Sequence, residues 1–193
     1  VTRLGCERAI RYAFEYAVAH GRSKVTICHK ANILKAVSGL FLEVGRDVSR
    51  EYAGRVAVDD IIIDACAMKL VLDPTQFDVI VTTNMFGDIL SDEIAGLVGG
   101  LGLAPGANVG ETGALFEAVH GSAPDIAGRG VANPTALLLA ACMLLDHVGQ
   151  RETAGRIRTA VERTLRDDRV RTRDLGGHAT TDEYALALLR RLA

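Results

Sequence analysis

The stretch "FDVIVTTNMFGDILSDEIAGL", Phe77 to Leu97, carries a strand and the helix that follows it. Val79, Ile80 and Val81 present apolar side chains to both faces, the pattern of a strand covered on both sides in a parallel sheet. A turn containing Pro74 bounds this strand on one side and Asn84 on the other. The helix is as apolar as a buried one, yet sets Asp88 and Asp92 four residues apart behind Gly87. Positions i and i+4 share a helix face with Cβ atoms about 6 Å apart, so the two charges repel unless a cation sits between them. A hard divalent ion such as Mg²⁺ or Mn²⁺ takes carboxylate oxygens and keeps positions open for water and substrate. The alternative is that Gly87 and Asp88 begin the helix, whose dipole favours acids in its first turn.

The alternation of strand and helix extends outward from there. "GCERAIRYAFEYAVAHG" (Gly5 to Gly21) has a helical stripe at Ala9, Ile10, Ala13, Phe14, Ala17 and Val18. "KVTICHK" (Lys24 to Lys30) alternates like a strand, and Leu40, Phe41, Val44 and Val48 predict a helix over Ser38 to Tyr52. "RVAVDDIIID" (Arg55 to Asp64) is β-branched enough for a strand, leading into a helix from Ala65 to Leu72. The glycine-rich run from Gly96 to Gly113 reads as loops and carries the domain boundary, dividing residues 1–98 from 99–193. "ANPTALLLAACMLLDHVG" predicts a helix buried on most sides, with Asn133 as N-cap, Pro134 at the first helical position and Gly149 past its end. Two further helices, Glu152 to Asp167 and Thr181 to Leu192, flank a turn at "DLGGH". The fold class is α/β with layered sheet and helices. Three good strands are few for a doubly wound sheet, so the chain reads as part of something larger.

Composition narrows the partners. With 22 Lys and Arg against 24 acids, the net charge of −2 gives no general attraction for nucleic acid or an anionic membrane. The arginines of Arg151 to Arg173 are interleaved with Glu152, Glu162, Asp167 and Asp168, a solvated helix face. The most apolar run, Thr135 to Leu145, is too short to span a bilayer. Cys6, Cys28, Cys66 and Cys142 sit singly among apolar residues, as core thiols in a reducing compartment do. A cytoplasmic protein, or a matured organellar one, is expected.

Further polar residues sit where they need a reason. Asp64 ends an apolar strand, where a charge needs a partner or a metal; a helix N-cap is the other possibility. Lys30 ends a strand too, either as a solvated terminus or as a base that sheds its proton beside a metal. "ALFEAVHGSAPDIAGRGVANP" is a loop in which glycine, serine and proline bring backbone close to a ligand, with His120, Asp125 and Asn133 as polar contacts, or else an ordinary turn. It matches neither dinucleotide nor P-loop fingerprints.

Taken in order, "HKAN" (His29 to Asn32), "NMFGDILSD" (Asn84 to Asp92), "GGLGLAPGANVG" (Gly99 to Gly110), "VHGSAPDIAGRGVANPTA" (Val119 to Ala136) and "DLGG" (Asp174 to Gly177) closely resemble the β-decarboxylating dehydrogenases. These act on isocitrate, homoisocitrate, isopropylmalate or tartrate, and the resemblance covers this whole chain but only the C-terminal half or somewhat more of a family member. It implies the isocitrate/isopropylmalate dehydrogenase-like fold with the N-terminal part of the large domain absent. Residues 1–98 would be the small, dimer-forming domain and 99–193 the rest of the large, cofactor-binding domain.

The implied reaction oxidises a 2-hydroxy acid with NAD and releases CO₂ with the help of Mg²⁺ or Mn²⁺. By residue match, Asp64, Asp88 and Asp92 would hold the metal and Lys30 would take the hydroxyl proton. In a homodimer with shared sites, Lys30 and Asp64 would come from one chain and Asp88 with Asp92 from its partner. Asn32 would lie near the nicotinamide; Glu117, His120, Gly121, Ser122, Ala123, Asp125, Ile126 and Asn133 would bind the adenosine half. An acid at Asp125 implies NAD, because NADP users place a Lys-Tyr pair where Asp125 and Ile126 stand. "SGLFLE" and "GLGLAPGANVG" are nearer the isocitrate and homoisocitrate branches than the isopropylmalate one, with a 3-isopropylmalate or tartrate dehydrogenase as the alternative. A further alternative is a non-catalytic regulatory subunit, or a fragment needing a complementary chain.

Overall fold

Strand β1 (Lys24–His29) organises the first half of the chain because both of its faces are covered. Its alternation leads one to expect a wet face; instead Val25 and Ile27 are buried on one side, and Thr26 and Cys28 on the other. β1 pairs in parallel with β2 (Ala57–Ile62) and β3 (Val79–Val81), in the order β2-β1-β3. Helices α1 (Arg3–Ala19) and α2 (Val37–Ser49) bury Ile10, Phe14, Phe41 and Val48 against Val25 and Ile27. Helices α3 (Ile63–Leu72) and α4 (Asn84–Val98) bury Cys66, Leu70 and Leu90 with Cys28. Each fully buried large aliphatic or aromatic side chain contributes about 1.5–3 kcal/mol, and the Phe14 and Tyr52 rings stack at 4.8 Å.

The computed structural model describes residues 1–193 and forms two compact units, Val1–Ile94 and Ala95–Ala193. In the first, the helix expected to reach Tyr52 ends at Ser49 and continues as a 3-10 turn. Ala9 and Val18, read as part of the apolar stripe of α1, are exposed. At the start of the sheet, Asp78 accepts hydrogen bonds from the Ser23 N–H (2.6 Å), the Ser23 hydroxyl and the Lys24 N–H, with Arg22 beside it. The Ser23 N–H is the strongest of the influences that hold this carboxyl below its usual range.

The second unit departs further from the sequence reading. The glycine-rich run and the segment read as a loop contain a hairpin, β4 (Pro105–Val109) antiparallel to β5 (Ala114–Ala118). Gly106 sits inside it without breaking it: a Cβ there would lie 3.3 Å from a Val119 methyl, slightly tight, and 3.5 Å from the Glu117 carbonyl, an ordinary contact. Helix α5 (Thr135–His147) is buried only along Thr135, Ala136, Ala140 and Cys142, while Leu137 and Leu144 are exposed. Its hydropathy is uniform, but α6 (Arg151–Arg166) and the hairpin pack against one side only. Pro134 is its N-cap residue rather than its first, and Asn133 accepts the Thr135 N–H through its side chain. Helix α7 (Thr181–Leu192) starts from a capping box of Thr180 and Glu183 and buries Tyr184, whose hydroxyl meets that of Thr135 at 2.9 Å. No helix is long and apolar enough to cross a membrane.

Two glycines should respond to alanine with opposite signs. A Cβ at Gly177 would fall 1.9 Å from the Arg171 carbonyl oxygen, which already accepts the Ala179 N–H; Gly177→Ala should cost more than about 3 kcal/mol. Gly155, exposed in α6 with open space around it, should gain about 0.5–1 kcal/mol as Ala. Thermal unfolding of the two variants checks both signs. Asp78 makes a pH prediction: its folded pKa is depressed, so its stabilisation is present above the ordinary carboxylate pKa of 3.8 and lost as pH falls through the lower folded value. Urea midpoints of Asp78→Asn and the parent should therefore differ at pH 7 and draw together as the pH is lowered below the ordinary carboxylate range.

Candidate active site

Lys30 and Asp64 are brought together by strand register. His29, the last residue of β1, lies beside Ile62, the last of β2, so the residues that follow emerge side by side at the carboxyl end of a parallel sheet, where such sheets bind ligands. The Lys30 ammonium donates to Asp64 Oδ1 and, before any other influence, holds that carboxyl below its usual range. The Asp64 side chain is 68% exposed, so the pair faces outward rather than serving the core. Ile62 is the N-cap residue of α3, and Asp64 makes no cap.

Asp88 and Asp92 lie in the second and third turns of α4, which starts at Asn84 and has no acid in its first turn. A helix-dipole role for Asp88 is thereby excluded. Both are exposed, on a face shared with Met85 and Ile89, themselves 61% and 58% exposed. Two carboxylates on one apolar surface have the chemistry of a hard-cation site. Within a single chain, however, no group of three or more acids, histidines or cysteines is gathered where it could hold a metal ion.

Behind Lys30 lies a network, running from a buried histidine to the surface, that sequence reasoning missed. His29, 6% exposed, meets Asp60 Oδ2 through Nε2 at 3.2 Å, and Arg46 of α2 donates to Asp60 Oδ1 at 3.0 Å. Burial pushes the Asp60 carboxyl up, but the hydrogen bonds and charges of Arg46 and His29 outweigh it, and the carboxyl ends below its usual range. The partners are 31 and 14 residues apart, and no local spacing announces them.

The second unit holds a cavity of about 910 Å³. His120, Gly121, Ser122, Ala123, Ile126 and Asn133 line it, together with Gly102, Arg129, Arg173 and Asp174. Asp125 is exposed in the short 3-10 turn Pro124–Ile126 and is not among the lining residues. Glu117, on β5, accepts from Asn108 and also lies outside the lining; Asn32, in the first unit, is exposed in the turn after β1. Asn133 and Asp174 form the frame: the Asn133 amide donates to Asp174 Oδ2 at 2.9 Å, and the Thr172 hydroxyl donates to its other oxygen at 2.5 Å. Gly102 lies against this frame, where a Cβ would come within 2.6 Å of Asp174. Thr181 ties the loop to α7 by donating from its N–H to the Gly130 carbonyl and from its hydroxyl to that of Ala132. The "DLGG" motif was the available signal for Asp174, although its position in the motif did not disclose this role.

The family described as isocitrate/isopropylmalate dehydrogenase matches residues 1–188. A 3-isopropylmalate dehydrogenase of Archaeoglobus fulgidus is 57% identical over 96% of this chain and 56% of its own length. A homoisocitrate dehydrogenase of Methanocaldococcus jannaschii is 54% identical over 98% of the chain and 54% of its own. The crystal structure of isocitrate dehydrogenase from Methylococcus capsulatus superposes with a TM-score of 0.96 at 56% identity, covering 100% of this chain and 57% of that one. The chain thus spans about half the length of the relatives it matches. On the family match, these identities and the shared fold, the chain belongs to the isocitrate/isopropylmalate dehydrogenase family.

Proposed function

We propose that this chain carries the catalytic lysine, the metal acids and the adenosine pocket of an NAD-dependent, decarboxylating dehydrogenase of a 2-hydroxy acid. The observation that carries the reading is the outward-facing Lys30–Asp64 pair at the ends of adjacent parallel strands. Lys30, as the free amine, takes the proton of the substrate hydroxyl, directly or through water, and Asp64 beside it pairs with the ammonium that results. Asp64 of one copy, with Asp88 and Asp92 of another, holds Mg²⁺ or Mn²⁺. That ion supplies a Lewis acid for the substrate's oxygen atoms. The donors fit a hard cation, and the division between copies accounts for two exposed carboxylates on an apolar helix face that no residue of the same chain completes. His120, Gly121, Ser122, Ala123, Ile126 and Asn133, with Glu117 beside them, bind the adenosine half of NAD, with Asp125 at its ribose hydroxyls and Asn32 towards the nicotinamide. NAD supplies the hydride acceptor. The favoured substrates are isocitrate and homoisocitrate, supported by "SGLFLE" and "GLGLAPGANVG".

The test reconstitutes the chain with the complementary N-terminal half of a relative and follows Mn²⁺-dependent reduction of NAD. Turnover should require the metal, and Lys30→Met should lower kcat by about 10²–10⁴-fold; metal-independent turnover, or full activity in Lys30→Met, would overturn the reading.

Mixing Lys30→Met protein with Asp88→Asn/Asp92→Asn protein tests the shared site. Each is inactive alone, but random pairing makes half the dimers mixed, each with one intact site of two, so roughly a quarter of the parent activity should return. No recovery would place the groups in one chain.

Asp125→Lys with Ile126→Tyr should shift preference from NAD towards NADP, since a 2′-phosphate would then meet a cation instead of a carboxylate. Unchanged ratios of kcat/KM for the two cofactors would remove the loop assignment.

A further inference from the structure

The peptide that follows Lys30 is held at both ends. Its carbonyl accepts from the Leu34 N–H at 2.8 Å and the Ile33 N–H at 3.1 Å, and its N–H, that of Ala31, donates to His29 Nδ1 at 3.0 Å. A ring nitrogen that accepts from a backbone N–H carries no proton, so the His29 proton resides on Nε2, where Asp60 accepts it. Arg46 fixes the other Asp60 oxygen. Helix α2 reaches this position because Gly45 lets it approach β1 closely, a Cβ there lying 2.7 Å from Ile27 Cδ1.

We infer that His29, locked in one tautomer by Asp60 and Arg46, is the positioning residue of Lys30: it fixes the peptide plane from which Lys30 and Asn32 are presented. Touching no substrate, it acts only through the backbone. The inference rests on Lys30 being the proton acceptor of the proposed function, and its experiment has one readout that needs no turnover. In the chain itself, imidazole ¹⁵N shifts should show Nε2 protonated and Nδ1 bare. His29→Phe keeps the buried bulk but removes the acceptor, and should speed hydrogen exchange at the Ala31 amide at least tenfold while the Val25 and Ile27 amides stay protected. His29→Asn should restore Ala31 protection, because an Asn side chain accepts from the backbone N–H two residues on. Asp60→Asn is near-isosteric; if its amide nitrogen turns to His29, the proton is driven to Nδ1, and the Ala31 amide should be freed in a chain that remains folded.

In the reconstituted enzyme, His29→Phe should lower kcat roughly 10- to 100-fold, with substrate KM within about twofold, as small misplacement of a catalytic group does; His29→Asn should recover most of it. Unchanged Ala31 exchange in His29→Phe and Asp60→Asn, or a freed Ala31 with unchanged kcat, would overturn the positioning role. If the parent shows no turnover while Ala31 responds as expected, the enzymatic reading falls and the backbone role of His29 stands.

Discussion

Burial of β1 on both faces is the constraint on which the first unit depends. A strand with Val25 and Ile27 under one helical layer and Thr26 and Cys28 under the other cannot slip by one residue, because every side chain would exchange layers. The parallel register with β2 then fixes which residues leave the sheet together. Lys30 and Asp64 meet because their strands end at paired positions, so the cost of burying Thr26 and Cys28 also secures a polar pair at the rim.

The same economy appears at the cavity of the second unit, whose frame consists of side chains bonding to one another. Asn133 has its oxygen committed to the Thr135 N–H and its nitrogen to Asp174, which also accepts from Thr172. Residues 120–133 are thereby tied to the turn at 172–177 and, through Thr181, to α7. A loop anchored at one end only would lose conformational entropy each time it closed on a ligand; this one has already lost much of it on folding.

The sequence disclosed features written in short-range patterns and concealed those made by tertiary contact. Ile10, Phe14 and Ala17 fall at helical spacing and are buried, and Phe77 to Leu97 is a strand followed by a helix. The hairpin at 105–118 is obscured because Gly106 and Gly113 read as breakers, whereas Gly106 pairs with Glu117 within the ladder. The wet side of α5 was invisible because Leu137 and Leu138 are chemically identical and only packing separates them. Lys30 and Asp64 were legible as two residues with a shared need for a partner. His29 lies within the "HKAN" motif, yet no local pattern carries its role, which is defined by Asp60 and Arg46 on other elements.

The buried thiols have a practical consequence. All four cysteines are free and buried, and burial pushes each of their pKa values up, Cys28 to about 12. Thiolate, the form that alkylating reagents and oxidants attack, is therefore scarce in the folded chain at neutral pH. The native protein should be silent towards such reagents and become reactive at four places on unfolding, which gives it a built-in chemical reporter of conformational opening, with no label added.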